Sequence, residues 1–263
     1  MAWSERQHGL LRAMGLRVWT PPLRASVPAT PPEGVAADVG APRSNVRVNE
    51  PMHPPDAPAQ PVPALHGLDW PALRDAVAAC RACALCESRT QTVFGSGHPQ
   101  AHWLVVGEAP GEQEDLSGLP FVGASGQLLD RMLAALRLTR DEDGDAPPER
   151  RVYIANALKC RPPRNRNPSP QEMAQCEPFL VRQIELLRPR IILAMGRYAV
   201  QALLRTEEPI GRLRGRVHQY QGVPLVVSYH PAYLLRNLLE KAKAWEDLCL
   251  AADVAEGAQP GAA

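Results

Sequence analysis

Val152-Tyr-Ile-Ala-Asn-Ala-Leu-Lys-Cys-Arg-Pro-Pro-Arg-Asn-Arg-Asn-Pro-Ser-Pro-Gln-Glu-Met-Ala-Gln-Cys176 is the stretch on which the fold turns. Its opening run, Val152 to Ala155, is short, apolar and partly β-branched, and reads as a buried strand. Asn156 and Lys159 then emerge where that strand ends, which is where an open α/β sheet binds its ligands. Beyond them Cys160 and Cys176, with fifteen residues between, bracket four prolines and three arginines. The prolines stiffen this loop, and the arginines keep it out of the interior unless an anion meets them. A second pair, Cys80 and Cys83, can complete four thiolates around one inorganic centre.

Outward from this stretch, strand and helix signals alternate. Trp103-Leu-Val-Val-Gly107, Ile191-Ile-Leu-Ala-Met195 and Leu225-Val-Val227 are further buried strands. Between them lie helical patterns over 127–138, with Leu128, Leu129, Met132, Leu133 and Leu136 on one face, and from Ser169 toward Arg188. Ser169-Pro-Gln-Glu172 fits a capping box with proline at the first helical position. Pro178 predicts a kink or a displaced start in that helix. A helix follows Gly196 through Leu204, and another closes the domain over 241–252. Asp69 and Pro71 open a helix that delivers Cys80 and Cys83 near its C-terminal end. The alternation predicts a three-layer α/β/α fold around a central, mostly parallel four-stranded sheet.

Length and composition bound the rest. Of the chain's 263 residues, 45% are hydrophobic, enough for a sizeable core. The distribution is uneven, since thirteen of the 28 prolines fall in the first 71 residues. Residues 1–66 therefore read as a disordered Pro/Ala-rich extension, 67–255 as one domain and 256–263 as a flexible tail. Within the extension, Ser4 to Trp19 has the makings of a short amphipathic helix that can dock an unknown protein partner. Formal net charge is only +1, so local clusters matter more: Lys159, Arg161, Arg164 and Arg166, and Arg205, Arg212, Arg214 and Arg216, each suited to phosphates or simply to solvent. No run approaches the eighteen apolar residues of a membrane span, and a cytoplasmic protein is expected. In that reducing compartment six cysteines point to metal or catalysis rather than disulfides.

In a parallel sheet the loops after every strand open on one edge. Glu108, Glu114 and Asp115 follow the first strand, Asn156 and Lys159 the second, and His230 the fourth. A carboxylate, an amide and an imidazole thus converge on one cleft. Each also has an ordinary structural use: Asn156 capping a turn, His230 satisfying a backbone group, Glu108 at a helix N-terminus. A lone C-x2-C is a weak signal that the second pair strengthens. The four thiolates suit zinc or an iron–sulfur cluster, and spacing does not choose between them. Cys249, alone on the last helix, reads as core.

Over about residues 77–250 the chain resembles the family 4 uracil-DNA glycosylases, the iron–sulfur branch of that superfamily. The resemblance rests on Val93-Phe-Gly95, Gly107-Glu-Ala-Pro-Gly-Glu-Gln-Glu-Asp115, Pro120-Phe-Val-Gly-Ala-Ser-Gly-Gln-Leu-Leu-Asp130, Asn156-Ala-Leu-Lys-Cys-Arg-Pro-Pro163 and His230-Pro-Ala-Tyr-Leu-Leu-Arg236. It implies one [4Fe-4S] cluster on Cys80, Cys83, Cys160 and Cys176, with Cys86 outside it. It also implies removal of uracil from single- or double-stranded DNA by flipping the base and hydrolysing its N-glycosidic bond, in a monomer associated with the nucleoid when on DNA. Phe121 is expected to stack on the base, Asn156 to read its amide edge, and His230 to donate to uracil O2. Gly107, Glu108, Ala109 and Pro110 are expected to line the pocket. No aspartate stands where the best-known relatives hold their water-activating residue. Glu108 is the first candidate for that role, and Glu114, held by Asn165, the second. Tyr233, Leu234 and Leu235 are expected to wedge the duplex, with Arg236 on a phosphate; helix core is the alternative for both leucines. A non-catalytic iron–sulfur redox or scaffold protein that binds nucleic acid is the competing reading.

Overall fold

The structure, a computed structural model, describes residues 65–257. All but the last two residues of the extension, its amphipathic segment included, lie outside that range, as does most of the tail. Leu65, two residues before the expected domain start, is buried in a core cluster.

The four apolar runs form the parallel heart of one sheet: β2 (Trp103–Gly107), β3 (Val152–Asn156), β4 (Ile191–Met195) and β6 (Val223–Ser228). Two antiparallel edges make it six-stranded, β1 (Ser96–Gly97) beside β3 and β5 (Val217–Tyr220) beside β6, in the order β1-β3-β2-β4-β6-β5. The expectation of four strands is corrected at both edges. β1 is two residues long with no apolar signal, and β5 is half-exposed. β5 and β6 are joined by Gln221-Gly222, both at positive φ, 48° and 83°. That is the twist a two-residue hairpin turn demands.

Side chains alternate across the sheet. Leu104, Val106, Tyr153, Ala155, Ile192, Ala194, Leu225 and Val227 share one face with Leu180, Ile184 and Leu187 of α5 (Pro170–Leu187) and Ala199, Val200 and Leu203 of α6 (Arg197–Leu204). The short α7 (Ile210–Leu213) precedes β5, and the long C-terminal helix, α9 (Lys241–Ala255), packs on β4 and β6. Between β2 and β3 come α3 (Glu112–Ser117) and α4 (Ala124–Ala135). The latter starts three residues earlier than its apolar stripe suggests.

The capping box opens α5 as expected: Ser169 accepts from the Glu172 amide and Glu172 from the Ser169 amide. The helix starts at Pro170, undisplaced, and its assigned span runs through Pro178. Upstream, α1 (Trp70–Ala79) is capped by Asp69, whose Oδ1 accepts from the Ala72 amide, and buries Leu73 and Val77 before ending at Cys80. α1 and α5 build a second, smaller core with the short α2 (Leu85–Ser88), holding Leu73, Val77, Leu85, Phe94, Leu158, Cys160, Cys176 and Phe179. Among the described residues no helix is long and apolar enough to cross a membrane.

Candidate active site

Strand order fixes where the site lies. The chain leaves β2 for β3 on one side and then crosses to β4 on the other, so the crevice beyond the C-terminal ends of these strands is the switch point. A cavity of about 730 Å³ opens there, and Glu108, Phe121, Asn156 and His230 all line it. Three loops brought together by parallel pairing therefore deliver an amide, an imidazole, a carboxylate and an aromatic ring to one space.

Asn156 ends β3 with 2% of its surface exposed, and its side-chain amide makes no hydrogen bond among the described residues. The amide opens on the cavity, where water or a ligand can complete its donors and acceptor. Its carbonyl, by contrast, is fastened: Lys159 Nζ donates to it at 2.9 Å and to Gln183 Oε1 at 2.6 Å. Lys159 is thus no part of a surface basic cluster. It is 1% exposed, and burial lowers its pKa to about 8.

His230 caps α8 (Pro231–Arg236), its Nδ1 accepting from the Ala232 amide at 3.1 Å. That bond assigns the proton of the neutral ring to Nε2, leaving one N–H donor for a ligand. Burial, helped by the charge of Arg236, lowers the His230 pKa to about 4, so the ring is neutral at physiological pH. The structural use foreseen for His230 and its place in the cavity coexist, one on each nitrogen.

Phe121 stacks on the His230 ring, centroids 5.3 Å apart at 28°. A side chain on Gly107 would run into the Asn156 amide oxygen and the Phe121 ring. Gly107 therefore acts by having no side chain. The Glu108 carboxylate reaches the cavity with no hydrogen bond among the described residues, and burial raises its pKa to about 7. Ala109 and Pro110 line the same wall.

Other expected residues do different work. Glu114 reaches the cavity, but its Oε1 accepts from the Val122 and Gly123 amides at 3.2 and 3.5 Å and so holds the Phe121 loop. Asn165 does not hold Glu114: its Oδ1 accepts from Arg161 Nε at 2.8 Å. Asp115 is buried away from the cavity, taking the Thr90 amide on both oxygens. Leu234, expected on the wedge, is core at 1% exposure, and α8 packs against α4. The exposed apolar side chains beside Arg236 are Tyr233, Leu235, Leu238 and Leu239, the last at 90%. Arg236 lines the cavity mouth.

Cys80, Cys83, Cys160 and Cys176 surround one small cavity, with Cys86 also at its wall. Burial pushes the Cys83 thiol up to about 11 and the Cys176 thiol up to about 12. Such thiols ionise only when positive charge or a metal meets them. Arg89 Nη1 donates to Cys160 Sγ at 3.0 Å, and the Lys159 amide to Cys176 Sγ at 3.2 Å. Among the described residues no three metal-ligating side chains are placed to hold a single ion. Sequence reading missed Arg89, Gln183 and Arg140, which no motif or period marks.

The mostly parallel α/β sheet carries an aromatic ring, an amide and an imidazole at its switch point, and the chain belongs to the uracil-DNA glycosylase superfamily, whose model matches residues 94–249. Within it, a type-4 uracil-DNA glycosylase of Archaeoglobus fulgidus is 42% identical over 167 residues, covering 60% of this chain and 79% of that protein. One from Pyrobaculum aerophilum is 38% identical over 193 residues, covering 70% and 93%. A type-5 uracil-DNA glycosylase of the latter organism is 35% identical over 149 residues, covering 54% and 66%.

Proposed function

We propose that the protein excises uracil from single- or double-stranded DNA as a monomeric, monofunctional glycosylase that starts base excision repair. The observation that carries this is the unpaired, buried amide of Asn156 facing the same cavity as the Nε2–H of a neutral His230 and the ring of Phe121. Uracil extruded from the stack lies on Phe121. The Asn156 amide oxygen accepts from uracil N3–H and its NH₂ donates to O4. In that orientation of the amide, cytosine, with an acceptor at N3 and a donor at C4, meets both ends opposed. As the bond between N1 and C1′ breaks, its electron pair passes to the base, and His230 Nε2–H donates to O2 where the charge gathers. Water adds to C1′ and gives its proton to Glu108, whose carboxylate is free where that of Glu114 is occupied. Arg236 and the neighbouring apolar side chains meet the duplex.

Cys80, Cys83, Cys160 and Cys176 hold one [4Fe-4S] cluster in this reading. Four cysteine thiols around one cavity are a donor set that would hold an iron–sulfur cluster. Bound there, the group supplies a brace for the 160–176 loop and so for the end of β3. Iron and acid-labile sulfide in anaerobically purified protein are the expected result, and zinc alone would reject the cluster.

The direct test is a uracil-containing oligonucleotide, single- and double-stranded, treated with enzyme and then alkali. Cleavage at the uracil is expected, and full-length product would overturn the reading. Asn156→Ala and His230→Ala should keep DNA affinity and lose cleavage. A non-catalytic scaffold would leave wild type and variants alike inactive.

A further inference from the structure

We infer that Arg140, outside the cavity, is a positioning residue that holds Phe121 in a backbone conformation a phenylalanine does not otherwise keep. The inference rests on the reading of Phe121 as the platform for the base. Phe121 has φ of 55°, the left-handed region, where a bulky side chain is strained and persists only if its surroundings hold it. Three sets of contacts do so. Arg140 Nη1 donates to the Pro120 carbonyl at 2.9 Å and Nη2 to the Phe121 carbonyl at 3.0 Å. The same Nη2 pairs with Asp130 Oδ2 of α4 at 2.9 Å, which aims the guanidinium. On the far side Glu114 takes the Val122 and Gly123 amides. Gly126 makes room, because a side chain there would land on the Phe121 carbonyl.

The consequence reaches the site because the ring so fixed lies against the His230 imidazole and above the glycine-sized gap at Gly107. Release of the Phe121 carbonyl lets the residue relax toward negative φ and swings its ring away from both. Arg140 thus sets the plane on which the base lies without touching it. Two charge-assisted bonds to carbonyls are a large enough hold to matter at this level of strain.

A double-mutant cycle tests this. Arg140→Gln is expected to lower kcat/KM on a uracil oligonucleotide about tenfold or more when Phe121 is present. In a Phe121→Ala background, with no ring to place, the same substitution should change it less than about twofold. A fall of equal size in both backgrounds, or none in either, overturns the inference. If Arg140→Gln does not fold, Asp130→Asn, which loosens the same guanidinium, must give the same pattern at smaller amplitude. The crystal structure of the variant decides independently of activity: Phe121 leaving the left-handed region supports the role, and Phe121 at an unchanged φ rejects it. Should wild type release no uracil, the proposed function fails while this structural arm still judges Arg140.

Discussion

Glu108 and His230 sit in one cavity, and burial drives both toward neutrality, raising one pKa to about 7 and lowering the other to about 4. A base must be ionised to take a proton, so kcat/KM is expected to fall about tenfold per unit as pH drops below about 7. Glu108→Gln should flatten that limb as well as slow the reaction, and an unchanged limb would assign it to another group. His230 adds no limb above about pH 5. Glu108 also binds its proton more tightly folded than unfolded, so stability falls as pH rises from the ordinary carboxylate range through about 7. Glu108→Gln should therefore melt at higher temperature than wild type at pH 8 and differ little at pH 4, as calorimetry can measure. At Gly107 even a methyl group meets the Asn156 amide and the Phe121 ring. Gly107→Ala should cost about 1–3 kcal/mol in stability and most of the activity.

At the level of elements, the short turn Leu238–Glu240 after α8 carries Leu238 and Leu239, exposed at 64% and 90%. Leu239→Ala should slow excision from duplex while sparing single strands, since only a stacked base leaves a gap to be filled; equal rates on both would remove the turn from the interface. Leu234 reads as part of the wedge with Tyr233 and Leu235 because Pro231-Ala-Tyr-Leu-Leu235 is nearly all apolar, yet it alone of the three is core. The three-residue step from Pro231 to Leu234, both buried, was the period that marked the inner face. The parallel strands were legible because their apolar runs are continuous, as burial on both faces requires. The edges were not: Ser96-Gly97 has no apolar side chain and the Gln-Gly turn is a weak hairpin signal. Asn156 and His230 were legible from their places at strand ends. Arg140 and Gln183 were not, since what they do depends on which backbone carbonyls tertiary packing brings to them.

On the scale of the whole molecule, Lys159 ties the cysteine core to the sheet's helix, its amide donating to Cys176 Sγ and its Nζ to Gln183 Oε1 and the Asn156 carbonyl. Cys176→Ser, which removes one sulfur from the second core, should lower Tm by roughly 6–12 °C if it costs about 3 kcal/mol. It should also weaken binding of free uracil, although position 176 does not line that cavity. Loss of iron with unchanged uracil affinity would separate the two cores.

Lys159 carries a further implication for how the chain matures. Its ammonium is sealed from water, and the sulfurs of Cys176 and Cys160 are the groups whose charge favours it there. A buried cation without an opposing anion is tolerated poorly. A newly made chain with four neutral thiols therefore has reason to leave that cation hydrated and the last turn of β3 unfastened. On the proposed function, assembly of a cluster on the four cysteines and readiness to grip a base become a single event, and a half-made enzyme holds no competent site with which to tie up damaged DNA.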